Sequence, residues 1–133
     1  MELKEALGEQ INFCITNSGY KSGIFVKNGQ KIKVVIDCIK DFEPVINDVA
    51  SRMVVGSYNC LVEFKNGSYI RVTVASENCK AQRYNGAIID RDIDYQILNR
   101  VLLPLLVPMR NYELEQFEPW QNVEKRVFYV FDL

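Results

Sequence analysis

The sequence predicts an α+β protein in which two β-hairpins and a C-terminal strand form a mostly antiparallel sheet, with two or three helices packed on it. Three observations lead to this fold class. Segments 23–37 and 60–74 alternate apolar and polar residues around an Asn-Gly pair, which is typical of a hairpin. Segments 44–53 and 95–103 carry apolar residues at helical spacing. Residues 127–131 are apolar on both faces, as in a central strand of a mixed sheet.

Length and composition bound the class of protein. The 133 residues are enough to bury a real core, so we expect residues 1–133 to form a single domain. Apolar residues make up 48% and charged residues 25%, which is average for a globular chain. The net charge of −1 provides no overall attraction to nucleic acid or to a membrane. No apolar run is long enough for a membrane span or a signal peptide, so we expect a cytoplasmic protein.

The sequence gives only weak signals for the secondary structure of the N-terminal residues. Residues 2–10 have helical spacing that Gly8 interrupts, which predicts a short helix. Residues 11–16 alternate weakly and predict a strand. The helix over 44–53 is expected to begin near Pro44, since proline lacks the N–H that would be unsatisfied at the first helical position.

The two predicted hairpins match each other in pattern at an offset of 38 residues, the separation of Asn28 from Asn66. This match indicates either an internal duplication or two amphipathic hairpins with the same common turn, and we favour the second explanation. In 60–74 the pair Asn66-Gly67 predicts a type I′ turn, which needs two positive φ angles.

The second half of the chain continues with a buried strand over 87–90. Asp94 is expected to cap the helix that starts at Tyr95, and Pro104 and Pro108 are expected to end that helix.

Part of the chain, about residues 58–110, resembles the ATPase core of phage terminase large subunits, the motors of DNA packaging. The resemblance is carried by the hairpin with 66–68 as Asn-Gly-Ser, by Arg83 in the polar loop, by 88–90 as Ile-Ile-Asp, and by the apolar run 97–105 with its proline. The resemblance implies that strand 87–90 lies parallel to its neighbours in a three-layer sheet, with Asp90 as the Walker B acid.

Two departures separate the chain from that family's chemistry. The sequence contains no GxxxxGK[ST] motif, so it has no lysine-bearing loop for a triphosphate. Arg91 stands where the family has its catalytic glutamate, and a cation cannot accept a proton from an attacking water. The resemblance therefore implies the fold without the hydrolysis.

The sequence also lacks residues that other common kinds of catalysis require. The chain has no histidine, which excludes the common zinc patterns and the usual base for a cysteine or serine nucleophile. The four cysteines are widely spaced, so we expect small buried apolar side chains, with Cys79 the most exposed thiol. We expect no cofactor and no catalytic residue.

Three acids follow the strand over 87–90. Asp90, Asp92 and Asp94 are spaced so that their oxygens could hold Mg²⁺ or Ca²⁺. The structural alternative is that Asp94 caps a helix and Asp90 braces the turn.

A second candidate site is basic. Lys27, Lys31 and Lys33 lie on the outward face of the predicted hairpin, and with Arg83 they are candidates for contact with nucleic-acid phosphates. The alternative is a solvated strand face whose lysines discourage edge-to-edge pairing.

The third candidate site lies in the acidic segment 111–122. Tyr112, Phe117 and Trp120 are candidate anchors for the pocket of a protein partner, or else they belong to a lid that folds onto its own domain. If strand 127–131 lies on a sheet edge, it provides a surface for a homodimer.

Three functions remain. The leading hypothesis is a non-enzymatic phage or prophage protein that binds another protein, such as an inhibitor of a host factor. The second is a degenerate packaging-ATPase-like module that binds nucleotide or nucleic acid. The third is a metal-dependent enzyme that uses Asp90, Asp92 and Asp94.

Overall fold

The computed structural model describes residues 1–56, 59–111, 113–131 and 133. Its helices are α1 (Leu3–Thr16), α2 (Gly29–Lys40), α3 (Glu43–Ile46), α4 (Tyr95–Ile97) and α5 (Trp120–Glu124). Helix α4 continues as a π-helical turn at Leu98–Leu102 and a 3-10 turn at Leu103–Leu105, and another 3-10 turn lies at Glu77–Ala81. The strands are β1 (Lys21–Val26), β2 (Ala50–Val55), β3 (Asn59–Phe64), β4 (Tyr69–Val74), β5 (Gly86–Asp90), β6 (Arg110–Asn111), β7 (Gln116–Phe117) and β8 (Val127–Val130).

Six strands form one sheet in the order β2-β3-β4-β1-β5-β8. Strand β1 lies near the middle and pairs in parallel with β4 and β5, and β5 pairs in parallel with β8. The pairs β2–β3 and β3–β4 are antiparallel. The α+β class is confirmed. The sheet is mixed: the strands β4, β1, β5 and β8 pair in parallel and form the half of the sheet that ends at the β8 edge. The short strands β6 and β7 pair only with each other.

Helices cover both faces of the sheet, which gives three layers. On one face α1 and α2 pack over the strands, and their buried side chains form the larger apolar core with the inward residues of β1, β3 and β4. On the other face a smaller core joins Phe25, Tyr84 and Ile89 to the turns after α4 and to Val123 of α5. The three layers and the parallel β5 agree with what the terminase resemblance implies. None of the helices in the described ranges has the length and apolar character that crossing a bilayer requires.

The predicted hairpin over 23–37 is wrong, since only its first arm is a strand. The side chain of Asn28 accepts hydrogen bonds from the backbone N–H groups of Gln30 and Lys31, at 3.1 and 3.2 Å, and so caps α2 instead of forming a turn. The buried residues of α2 then follow helical spacing: Ile32, Val35, Ile36 and Ile39. The favoured explanation of two amphipathic hairpins is therefore wrong, and so is a duplicated hairpin, because only the segment over 60–74 is a hairpin.

Two other early elements also differ from the prediction. Helix α1 runs through Gly8 to Thr16, because its buried face continues through Ile11 and Cys14, so the strand over 11–16 is wrong. The helix predicted over 44–53 is only the four residues of α3, and the chain then forms β2, in which Val54 and Val55 are β-branched and favour a strand.

The central hairpin over 60–74 is confirmed as β3 and β4, but its turn is not type I′. Gly67 has φ +85°, and Asn66 keeps a negative φ. The Asn66 side chain instead donates to the carbonyl of Cys14 at 2.7 Å and accepts from the N–H of Ser68 at 3.1 Å. The turn is therefore fastened to the end of α1.

The later elements are closer to the prediction. Strand β5 is buried throughout and confirms the strand over 87–90. The Asp94 carboxylate accepts from the N–H groups of Gln96 and Ile97 at 2.8 and 3.3 Å, as expected of a helix cap. The C-terminal strand is β8, which lies on the sheet edge and not at the centre.

A buried polar network joins α1 to the middle of the sheet. The Gln10 side-chain oxygen accepts from the hydroxyls of Tyr20 and Ser22 at 2.8 and 2.9 Å. The Gln10 amide nitrogen donates to the carbonyl of Arg126 at 2.7 Å. The Arg126 guanidinium in turn forms an ion pair with Glu118, which ties the segment before α5 to the core. Every one of these polar groups is therefore paired despite its burial.

Candidate binding surfaces

The carboxyl ends of β1 and β5 meet at one edge of the parallel sheet, where ligands of open α/β sheets commonly bind. Asp90, at the end of β5, accepts from the backbone N–H of Lys27 at 3.0 Å and from the Lys31 ammonium at 2.8 Å. The other carboxylate oxygen of Asp90 accepts from the N–H of Asp92 at 3.0 Å. The Asp92 carboxylate lies 3.0 Å from the same Lys31 ammonium. We call Lys31, Asp90 and Asp92 the strand-end cluster.

Within the strand-end cluster, the positive charge of Lys31 and the negative charges of the two carboxylates stabilise one another. Desolvation of Lys31 opposes its charge, but hydrogen bonds to Asp90 and Asp92 outweigh that effect and raise the pKa of Lys31 above its ordinary value. The hydrogen bond from Lys31 lowers the pKa of Asp92. Lys31 and Asp92 are therefore both charged at neutral pH.

The strand-end cluster does not fit a triphosphate. The connection from β1 to α2 is only Lys27 and Asn28, and Asn28 already accepts from the N–H groups at the start of α2 that would otherwise face a phosphate. The Lys31 ammonium is held by two carboxylates. The cluster thus joins α2 to β5 and leaves no vacant cradle of donors.

The three acids proposed for a metal do not converge. Asp90 and Asp92 share Lys31, and Asp94 caps α4. Within residues 1–56, 59–111, 113–131 and 133, no group of three acidic or cysteine side chains could hold a metal ion.

The predicted basic face is also divided. Lys31 is used in the strand-end cluster, while Lys27 is exposed at the turn and Lys33 is exposed on α2. Arg83 precedes β5 and therefore lies at the amino ends of the parallel strands, where its guanidinium donates to the carbonyl of Gln82 at 3.1 Å. The structure does not bring Arg83 together with the three lysines.

Arg83 instead lines a different cleft at the amino ends of β1 and β5. This cleft, the amino-end cleft, has a volume of about 200 Å³. Uncharged residues line most of this cleft. Its lining also includes three cationic residues and one exposed aromatic ring: Lys21, Arg83, Arg110 and Phe117. The pattern of the sequence did not reveal this site, because its cations come from separate segments.

A larger apolar groove lies beside the edge strand β8, with a volume of about 380 Å³. We call it the β8 groove, and its lining is almost entirely apolar: Leu103, Leu106, Trp120, Val123, Glu124, Val127 and Tyr129. Trp120 is 57% exposed on the rim although it is a large aromatic residue. The apolar run 102–107, which is too apolar for a solvated loop, contributes Leu103 and Leu106.

A cation lies beside the β8 groove. The Arg91 guanidinium stacks over the rings of Tyr129 and Phe131, with 4.6 and 4.4 Å to the ring centroids. Tyr129 lines the groove, and Phe131 is 69% exposed. Arg91 was noted in the sequence only as a departure from a catalytic glutamate, and its stacking on β8 is what the structure adds.

Two of the aromatic residues proposed as partner anchors, Phe117 and Trp120, lie in different places. Trp120 lines the β8 groove, and Phe117 lines the amino-end cleft and is 66% exposed. Tyr112 falls outside the described residues. Within the part of the chain that the structure describes, both rings are more than half exposed.

All four cysteines are thiols. Cys14 and Cys60 are buried, and Cys38 and Cys79 are half-buried. Burial raises the pKa of Cys14 to about 12, although a hydrogen bond with Ser68 acts in the opposite direction. Burial likewise raises the pKa of Cys60. These two thiols are therefore protonated at neutral pH and serve as packing residues.

The fold and its surfaces define a class: a three-layer α+β chain with a mixed six-stranded sheet and a sequence without the triphosphate-binding loop. No model of a known protein family matches the chain, and no curated protein matches it. Among solved structures, an arginine-to-alanine mutant of the large terminase ATPase domain of Thermus phage P74-26 is similar at a TM-score of 0.55 and 10% identity. The match covers 96% of this chain and 53% of that domain, so this chain spans about half of it. The likeness is one of fold.

Proposed function

We propose that this chain is a non-enzymatic binding module that takes up an extended apolar segment of another protein at the β8 edge. The observation that carries the proposal is that the β8 groove lies directly against a sheet edge. An edge strand offers backbone N–H and C=O groups to an added strand, and an adjoining apolar groove accepts its side chains. The pairing supplies affinity, and the groove supplies selectivity.

The exposed aromatic residues support this proposal. Trp120 is the type of residue that most often dominates the energy of a protein interface, and it stands on the groove rim. Arg91 adds a cation beside Tyr129. The partner segment is therefore apolar along the groove, with an acidic side chain placed to meet Arg91.

The fold likeness to a phage ATPase domain supports a phage or prophage origin for the module. In its specific form, the proposal is that the partner is a host protein and that this contact inhibits the partner's activity. Hydrolysis of a nucleotide is not part of it, since Lys31 is held by two carboxylates and Arg91 stands in place of an acid.

The test is site-specific photo-crosslinking in host cells. A photoreactive phenylalanine analogue replaces Trp120 in one variant and Val45 in the control, because Val45 is 52% exposed on α3 and does not line the groove. We expect one discrete adduct from position 120 and none from position 45. The purified partner should then bind Trp120→Ala at least tenfold more weakly than wild type, which is about 1.4 kcal/mol. Equal adducts from both positions would overturn the proposal.

A second candidate function is nucleic-acid binding in the amino-end cleft. It is favoured by the presence of Lys21, Arg83 and Phe117 in one cleft, since cations bind phosphates and an aromatic ring stacks on a base. Fluorescence anisotropy with single-stranded DNA at two salt concentrations tests it. Binding that weakens with salt and is lost in Phe117→Ala would support it, and identical weak binding by that variant would exclude it.

A further inference from the structure

The other edge of the sheet, strand β2, has an unusual surface. Five of its six residues are exposed, and three consecutive apolar residues among them are substantially so: Met53 at 41%, Val54 at 45% and Val55 at 54%. Edge strands in monomers are usually protected by prolines, lysines or inward charges, and 53–55 has none of these. The register shift between Ala50 and Arg52 disturbs only the start of the strand, and the regular register resumes at Arg52.

The single charge on β2 is already neutralised within the chain. The Arg52 guanidinium lies 2.9 Å from the Glu63 carboxylate of β3, and Glu63 is the residue opposite Arg52 in the antiparallel register. Both side chains are exposed, so the pair contributes little to stability. It does remove the repulsion that an uncompensated arginine would exert on a second copy.

The register shows which backbone groups of β2 point outward. Gly56 donates to the carbonyl of Asn59 at 2.8 Å, so this pair is hydrogen-bonded across the β2–β3 ladder. Hydrogen-bonded and non-bonded pairs alternate in an antiparallel ladder. Val54 and Arg52 therefore direct their N–H and C=O toward β3, and Met53 and Val55 direct theirs outward. Met53 lies at the middle of the exposed strand.

We propose that two copies of this chain pair through β2, antiparallel and about a two-fold axis, with Met53 of each copy opposite Met53 of the other. Each Met53 then donates to and accepts from its counterpart. Val54 lies opposite Arg52 of the second copy. No like charges face each other directly, and each Arg52 keeps its own Glu63.

A second copy fits this edge better than an unrelated strand. A two-fold interface requires that one surface be complementary to itself, and β2 meets that requirement because its outward residue lies at its centre and its charge is internally paired. The dimer joins two six-stranded sheets at β2 and leaves both β8 edges unpaired. Dimerisation thus goes through β2 and not through the C-terminal strand.

The test is molar mass in solution by light scattering over a range of protein concentrations. The monomer mass is 15.4 kDa, and we expect wild type to approach twice that mass as concentration rises. The contact is small, so a moderate affinity is expected. Met53→Lys should remain monomeric, because it places two ammonium groups opposite each other. The control Val45→Lys, also an exposed apolar position, should dimerise like wild type.

A charge-exchange experiment separates loss of pairing from loss of folding. Met53→Glu alone should also be monomeric, and an equimolar mixture of Met53→Glu with Met53→Lys should recover the dimer mass, since opposite charges then face each other. Circular dichroism confirms that each variant is folded. A wild type that stays monomeric at every concentration, or a mixture that does not recover the dimer, would overturn the proposed pairing.

Discussion

The Lys31 ammonium lies 2.8 Å from the Asp90 carboxylate, which joins the first turn of α2 to the end of β5. The two residues are 59 positions apart in the chain. Asp90 is nearly inaccessible, with 2% of its side chain exposed, and Lys31 is 16% exposed. In this fold the acid at the end of the strand therefore has a structural role, which is to hold a helix against the sheet.

Removal of the lysine should destabilise the fold. In Lys31→Met, Asp90 stays buried and keeps only its backbone donors, so we expect a loss of roughly 2–3 kcal/mol in the free energy of unfolding. Urea denaturation measures it. The matched control is Lys33→Met, an exposed position on the same helix, where a change within about 0.5 kcal/mol is expected. Equal effects at both positions would contradict the structural role.

Acid should weaken the same contact. The pKa of Asp92 is lowered in the folded state by its hydrogen bond with Lys31, so its contribution to stability is present above the unfolded pKa and is lost as pH falls through the folded one. We expect wild type to melt at a higher temperature than Asp92→Asn at neutral pH. The difference in Tm should shrink below about pH 4. A difference that is constant between neutral pH and acid would show that the carboxylate charge is not its source.

Gly86 should not tolerate a side chain. A Cβ at this position would overlap the Tyr20 hydroxyl and lie 2.9 Å from the carbonyl of Arg126, both in the buried network. We expect Gly86→Ala to lower the free energy of unfolding by at least about 2 kcal/mol, measured by thermal or urea denaturation.

Gly8 provides the contrasting case. Its Cβ would lie 3.5 Å from the Phe42 ring, which is an ordinary contact, and the residue lies inside α1. Gly8→Ala should stabilise the protein by about 0.5–1 kcal/mol, because alanine favours a helix.

For the other glycine the outcome should be the opposite. A stabilising Gly86→Ala would refute the close approach of β5 to Tyr20.

Gln10 should be coupled to Tyr20. Gln10→Leu keeps a similar volume but leaves the Tyr20 and Ser22 hydroxyls without their acceptor, so we expect a loss of roughly 2–4 kcal/mol. In Gln10→Leu/Tyr20→Phe one of the unpaired hydroxyls is gone. The double variant should therefore lose less than the sum of the two single losses, by about 1 kcal/mol. Strict additivity in urea denaturation would mean that the two side chains act independently.

The sequence predicted those elements that local chemistry determines. The β3–β4 hairpin has alternation on both arms and Gly67 in its turn, and β5 is a short apolar run that ends in an acid. Asp94 combines helix-capping chemistry with a following apolar helix. In each of these, neighbouring residues carry enough information to select one structure.

The wrong predictions arose where one local pattern fits two structures. Asn28-Gly29 suits a hairpin turn and a helix cap equally, and the apolar residues that follow satisfy both a period of two and a helical period. The larger core over α2 decides between them, and the sequence alone does not show that core. In β2 both faces are exposed, so no alternation marks the strand.

The candidate surfaces were predicted less well than the fold. Trp120 was recognised as a candidate anchor, but the β8 groove forms only when α5 and the turns after α4 come together over β8. Lys31 was read as a phosphate contact because its two carboxylate partners are about 60 positions away. Sites assembled from distant segments have no signature in any one window of sequence.

The position of β1 between β4 and β5 has a consequence for synthesis on the ribosome. β1 is complete at Val26, but its first sheet neighbour begins only at Tyr69, 43 residues later (69 − 26). At about 5–20 residues per second, this strand waits roughly 2–9 s without a partner. During that interval Ile24 and Val26 have only α1 and α2 to cover them, and Phe25 lies on the other face, where its core partners come from later segments. The nascent chain should therefore depend on a chaperone that shelters apolar segments, and chains released before β5 is made should aggregate.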